Sequence, residues 1–478
     1  MCFKKTQRIY DPKFLQSAAD AIVKENQSME GINMVSTADL THGPIRGQFI
    51  ALAVPLLLGN ILQQLYNTVD AVIVGRVVGD AAFAAVGVAG SVMNLFLFLI
   101  SGSCTGVGAL LSQLHGAGDE DGFRRDFFLS AAFGGGLTLL LTAVSLLVLT
   151  PLLGMLQTPG EVLVYAAEYL RVIFLGFLAE FAYHLCSAVL RAVGNTQAAL
   201  AFLSISMVVN LLLDVLLVGV LHWGIAGAAW ATVASQGLAA GLCLAYLSRR
   251  YPQLLFRRRD MVYDGALLRR TAYFSFSAAL HMCSLYIGKL LVQRTVNGLG
   301  TAAISAYTAA TRIEGFANSF GDSGSAAMSV LVGQNTGAKR KDRVEEGYRE
   351  GQKLLAGLGL LMSVIMFVGA PVLLPLVLPE GEGDSLTPAM GYLRLVACFY
   401  LFNFLGSGLA GYYRGSGRVN LPVIGATGHI SFRVVFSWLA APVMGLPAVA
   451  LGTGLGWMGV VTFWTTLRKK LRLSVPPQ

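Results

Sequence analysis

Gly79-Asp-Ala-Ala-Phe-Ala-Ala-Val86 and Gly300-Thr-Ala-Ala-Ile-Ser-Ala-Tyr307 are one segment written twice. Each is followed at the same distance by a second matched segment, Gln113-Leu-His-Gly116 and Gln334-Asn-Thr-Gly337, and both pairs are separated by 221 residues. A third pair, Arg191-Ala-Val-Gly194 and Arg414-Gly-Ser-Gly417, is separated by 223, so one register runs through most of each half. The pattern predicts a duplicated fold.

Between the repeated segments the chain is apolar. Of its 478 residues 55% are apolar and 13% charged, with a mean hydropathy of +0.64, whereas an ordinary soluble domain is about 45–50% apolar and about 25% charged. A soluble multidomain protein is excluded. Runs of about 20 apolar residues, the length of a bilayer span, occupy about 48–74, 81–111, 127–149, 164–190, 198–221 and 225–247. They resume at about 272–296, 302–331, 354–378, 390–412, 421–441 and 446–467. An even number of spans per half gives both halves the same topology. The predicted fold is an all-α polytopic membrane protein of twelve helices in two parallel six-helix repeats, with a site between two lobes. It reads as an N-terminal tail (1–44), a first lobe (45–247), a basic linker (248–270), a second lobe (271–467) and a C-terminal tail (468–478).

The net charge of +9 and pI near 9.3 do not call for nucleic acid. Twenty-eight of the 35 basic residues fall in segments on one side of the predicted membrane, with only Arg76 and Arg294 in loops on the other. Basic residues accumulate in cytoplasmic loops, which places both termini in the cytoplasm. The tail has no apolar signal segment, and 14–23 suggests a short amphipathic turn or two. Cys104, Cys186, Cys243, Cys283 and Cys398 lie in apolar runs without a CxxC spacing, and are read as small buried hydrophobes.

Enzyme motifs fail. There is no P-loop, the six histidines have no metal spacing, and no nucleophile with its base emerges, so neither catalysis nor a cofactor is expected. Gly454-Leu-Gly456-Trp-Met-Gly459 spells GxGxxG inside the twelfth run, where small residues serve close helix packing.

Ionisable residues inside spans are the informative minority, because each costs at least about 2.5–3.5 kcal/mol at mid-bilayer. The acidic ones in the first half are Asp70, Glu180 and Asp214, and the register gives Asp70 and Asp214 no acidic counterpart in the second half. Tyr66 and Asp70 are four residues apart, as are Asn210 and Asp214, so each pair shares a helix face. Counting from the run ends puts these four and Thr232 of the sixth run in roughly one layer, about 6–11 Å below the outer surface. Two buried carboxyls close together hold a proton near neutral pH or bind sodium with neighbouring Asn and Thr oxygens. Pro55 removes a backbone hydrogen bond about four turns before Asp70 and is expected to kink the first helix.

These residues resemble the multidrug and toxic-compound extrusion (MATE) family. The resemblance is carried by Leu65-Tyr-Asn-Thr-Val-Asp-Ala-Val-Ile-Val-Gly75, Asn210-Leu-Leu-Leu-Asp214 and Gly227-Ala-Ala-Trp-Ala-Thr232, and extends over about 45–467. It implies an antiporter of the bacterial plasma membrane that exports lipophilic, typically cationic organic compounds in exchange for H+ or Na+, without a cofactor and as a monomer. The family's ion-coupling cluster is carried over to Tyr66, Asp70, Asn210, Asp214 and Thr232, with any sodium at Asp70, Asp214 and Asn210. One branch of the family places a glutamate in the seventh helix, where this chain offers Lys289. Glu180, Lys289, Arg312, Glu314 and Asp322 are candidates to line or gate the cavity. A lipid-linked precursor flippase of the same superfamily is the alternative; the basic residues of the second half favour it and the two aspartates oppose it.

Overall fold

The computed structural model describes residues 39–155, 160–378 and 383–473; the amphipathic turn expected at 14–23 lies outside them. The first six apolar runs form α1 (Ile45–Val77), α2 (Asp80–Gly116), α3, α4, α5 and α6 (Gly224–Arg250). Of these, α3 joins Glu120–Leu129 to Gly135–Met155 through a π turn at Ser130–Gly134, and α4 has two arms, Gly160–Leu175 and Phe177–Ala192. The α-helical part of α5, Thr196–Asp214, runs on as a π turn over Val215–Val220. The second six form α7 (Gly265–Asn297), α8 (Thr301–Gly337), α9 (Lys341–Leu373), α10 (Gly383–Ala397 and Tyr400–Gly415), α11 (Asn420–Met444) and α12 (Leu446–Leu473). Nine helices are long and apolar enough to cross a membrane, and the two bent pairs raise that to eleven among the described residues. The twelfth segment, α8, is long but too polar for the same measure.

The repeated glycines that open the α1–α2 and α7–α8 segments have a backbone reason. Gly79 (φ 119°) and Gly300 (φ 94°) stand immediately before α2 and α8 in a conformation that side chains with a Cβ rarely adopt. Helix α9 begins thirteen residues ahead of its predicted start. Its added turns are charged but amphipathic, with Arg343, Gly347 and Gly351 buried at every fourth position.

The duplication extends to irregularities. α4 bends by 49° and α10 by 52°, at Gly176 and Phe399, positions 223 apart. Pro55 lies within a continuous α1. It leaves the Ala51 carbonyl without its helical donor, and the Thr196 hydroxyl bonds that carbonyl at 3.4 Å, tying α1 to the start of α5.

The two bundles close on each other at the end where the basic segments lie. Gln113 of α2 donates to the Gly415 carbonyl at the end of α10 (2.8 Å), and Gln334 of α8 donates to the Ala192 carbonyl at the end of α4 (2.7 Å). These two bonds are related by the repeat. Beside them α2 and α8 cross so closely that a Cβ on Gly116 would overlap the Gln334 carbonyl, and one on Gly337 the Gln113 carbonyl. Towards the opposite end, Gly87 and Gly90 of α2 and Gly315 of α8 face open space.

The segment leading into α1 is strapped across this closure. The Leu40 amide donates to Gln334 Oε1 (3.3 Å), while Asn335 and Arg343 donate to the Leu40 carbonyl (both 3.0 Å). Arg343 also reaches the Gly43 carbonyl (3.0 Å) and Gln48 Oε1 (3.1 Å). Replacing Arg343 with alanine leaves several acceptors without this donor and is expected to cost about 1.5–3 kcal/mol of strap stability, as hydrogen bonds to charged groups do. Limited proteolysis of the 39–44 segment should accelerate about tenfold or more; an unchanged rate would mean that the strap is held by something else.

Candidate functional site

The sequence places Asp70 seven residues before the end of α1, Asp214 at the last α-helical residue of α5, and Thr232 eight residues into α6. At 1.5 Å per residue all three lie about 9–12 Å below the end opposite the basic one. Packing of α1, α5 and α6 brings them together. Tyr66 Oη lies 3.2 Å from Thr232 Oγ1, and Asn210 Nδ2 donates to the same oxygen at 3.5 Å. Thr232 in turn donates to the Ala228 carbonyl (3.1 Å). The carboxyl groups of Asp70 and Asp214 face one another within hydrogen-bonding reach once one of them carries a proton.

Burial makes this arrangement costly unless something fills it. Asp70 is 7% exposed, and Asn210 and Asp214 are each 1% exposed. Asp70 Oδ1, Asn210 Oδ1 and both Asp214 oxygens have no donor among the described residues, and each such buried acceptor costs about 1–3 kcal/mol. Two facing carboxylates cannot satisfy each other because both only accept. A proton or a small cation between them would. The α-to-π junction begins at Val215, next to Asp214, and π turns recur at functional positions because they unsettle the backbone ladder. A narrow pocket lined by Gln63, Tyr66, Ser206, Asn210, Ser235 and Gln236 adjoins the cluster.

Tyr169, on the first arm of α4, completes the group. It faces Asp70 and Asp214, and its hydroxyl reaches Thr232. Helix spacing could not reveal it, since nothing within α4 pairs with it. The repeat could, because Tyr392 occupies the matching place 223 residues on.

The remaining candidates divide. Glu180 pairs with His184 on its own helix at 3.0 Å. Glu314 is buried on α8 and faces Arg433, Tyr392, Lys289 and Tyr400. Lys289 is exposed on α7, and Arg312 is exposed on α8 with no hydrogen bond or ion pair among the described residues. Asp322 is exposed on α8, and its neighbour Ser323 accepts a bond from Asn60 of α1 at 3.0 Å across the two bundles. Of the GxGxxG string, Gly454 packs against Phe399 and Gly456 against His429, while Gly459 faces open space. Among the described residues no three His, Cys, Asp or Glu side chains gather as a metal site.

The MatE family model matches the chain twice, over residues 55–216 and again over 277–439. The second match is displaced from the first by 222 residues at its start and 223 at its end, the register read from the repeated segments. The chain belongs to the MatE family.

Among its relatives, a probable multidrug resistance protein YpnP of Bacillus subtilis is 27% identical over 422 residues, 88% of this chain and 94% of that one. A probable multidrug resistance protein NorM of Thermotoga maritima is 24% identical over 90% of this chain and 92% of that one. A solved multidrug resistance MATE transporter in an outward-facing conformation superposes with a TM-score of 0.88 at 20% identity, covering 93% of this chain and 99% of that chain. A MATE solved in a bent conformation gives 0.85 at 21% identity, covering 92% and 98%. MATE proteins are transporters, so this is a multi-pass membrane transporter with bacterial relatives and not an enzyme.

Proposed function

We propose that the protein exports amphipathic, mostly cationic, drug-like compounds from the cytoplasm across a bacterial inner membrane, acting as a monomer with both termini inside. Export is driven by H+ or Na+ taken up at Asp70 and Asp214, with Asn210, Thr232, Tyr66 and Tyr169 supplying the remaining oxygens. The observation that carries the proposal is the excess of buried acceptors over donors between two facing carboxyls in a chain of this family. Names of relatives such as YpnP and NorM support a multidrug substrate range.

The mechanism follows from differential affinity. Loading the aspartate pair removes the repulsion between two buried carboxylates and lets α1, α5 and α6 pack tightly. Unloading restores it, so each state of the pair favours a different packing of the first bundle. With the basic end taken as the cytoplasmic one, the latch there supports reading this conformation as closed to the inside. Ions enter from outside and substrate leaves.

The test is ethidium efflux in proteoliposomes under an imposed pH gradient and, separately, an imposed sodium gradient. Efflux should follow one of the two. Dependence on neither would reject ion-driven antiport and favour the flippase alternative.

A further inference from the structure

The repeat register places a second copy of the acidic cluster in the other bundle, and its contents are different. At offsets of 221 for the first two helices and 223 beyond, Tyr66, Asp70, Tyr169, Asn210, Asp214 and Thr232 correspond to Ile287, Leu291, Tyr392, Arg433, Ser437 and Leu455. Only the tyrosine of the bent helix is retained. Both carboxylates and the threonine are lost, and a guanidinium stands where the first bundle has an asparagine.

The geometry around that guanidinium is built rather than incidental. Arg433 donates from Nη2 to the Tyr307 hydroxyl at 3.2 Å, and the Tyr307 ring meets Tyr392 edge-on at 5.4 Å. Tyr307 and Tyr392 are fully buried. Glu314, 7% exposed, faces Arg433 and the hydroxyls of Tyr392 and Tyr400. Arg433 retains a buried Nε without an acceptor and Glu314 a buried Oε1 without a donor, so each holds what the other lacks. Lys289 of α7 and His429 of α11 also face this group. The acid has moved from α7 and α11 to α8, but the site still holds a carboxylate and tyrosine hydroxyls, now with the cations of Arg433 and Lys289 beside them.

We infer that the second bundle's copy of the ion site is permanently filled by the tethered guanidinium of Arg433, which faces Glu314, so that only the first bundle exchanges ions. An arginine side chain does not release its proton in a protein and cannot diffuse away. A site occupied in this way has one charge state and contributes no ion to the cycle. The inference rests on the first-bundle cluster being the exchanging site.

The experiment measures, in proteoliposomes of the full chain, the substrate ratio that just balances a fixed gradient of whichever ion drives export. Each ion exchanged per cycle multiplies that ratio by one further factor of the ion gradient. Glu314→Gln should leave the balancing ratio at the parent value, whatever its effect on protein yield. Arg433→Asn frees Glu314 and should raise the ratio by one factor of the ion gradient, an increase that Arg433→Asn with Glu314→Gln abolishes. A balancing ratio lowered by Glu314→Gln would overturn the inference, because Glu314 would then be exchanging ions itself. So would a folded Arg433→Asn protein with the parent ratio. If Arg433→Asn does not fold, Glu314→Gln alone decides. Failure of the first-bundle reading is seen separately, as an unchanged ratio in Asp70→Asn.

Discussion

Asp70→Asn and Asp214→Asn should each cut ion-driven efflux at least about tenfold while the protein becomes no less stable, and the two effects together are the signature expected of a coupling site. Asparagine keeps the size of the side chain and supplies a donor, so packing among α1, α5 and α6 survives. At Asp70 the new amide faces Asp214, whose two oxygens have no donor among the described residues, and filling such a gap recovers up to about 1–3 kcal/mol. The thermal midpoint in detergent should therefore hold or rise. Transport moves the other way. Removing one carboxylate removes the repulsion that sets the unloaded pair apart from the loaded one, and coupling free energies of about 1–3 kcal/mol correspond to about 5–150-fold in affinity. Efflux under the driving gradient should fall by at least about tenfold, with residual downhill equilibration unchanged. If the carboxylates were only structural, efflux and stability would fall together. A variant that keeps full gradient-driven efflux rejects the site outright.

The twelve spans and their duplication were legible because a bilayer demands long apolar runs and the turn before α2 and α8 demands a glycine. Both constraints act on local sequence. The acidic layer was legible for a similar reason, since charges inside spans are few and helical rise converts residue number into depth. Tyr169 was not, because its place depends on the bend that sets the first arm of α4 against α2 and α6. Nor was the start of α9, where charged residues hid a buried stripe at Arg343, Gly347 and Gly351. The second bundle's charge cluster was half visible. Lys289 and Glu314 stood out as intramembrane charges, but the matching of Arg433 to Asn210 acquires meaning only once Tyr307, Tyr392 and Glu314 are seen around it. Helix α8 illustrates the converse. Its many small and polar residues keep it below the hydropathy of a lipid-facing span, and it lies buried through much of its length between α1, α2, α10 and α9. A helix sheltered by its neighbours need not satisfy the lipid.

Gly337→Val, and separately Gly116→Val, should open the basic end and arrest transport without touching the acidic cluster. Either new side chain meets a backbone carbonyl of the opposing helix, Gln113 for Gly337 and Gln334 for Gly116. A backbone carbonyl in a helix cannot swing aside as a flexible side chain can, so relief requires α2 and α8 to separate. Separation breaks the Gln113 bond to Gly415 and the Gln334 bond to Ala192, both of which cross between bundles. Overpacking of this kind costs about 1–3 kcal/mol, and applied only to the latched state it shifts the conformational balance about 5–150-fold toward the unlatched one. Ser112, buried beside the crossing at Gly333, is the reporter. Cysteine at that position, in a background without other reactive cysteines, should react with a membrane-impermeant thiol reagent from the basic side at least about fivefold faster in either valine variant. Gly90→Val, placed where the same helix faces open space, is the control and should leave labelling and efflux at parental levels. Faster labelling in the control as well would trace the effect to α2 as a whole. Parental labelling in all three would mean that the crossing does not gate the basic end.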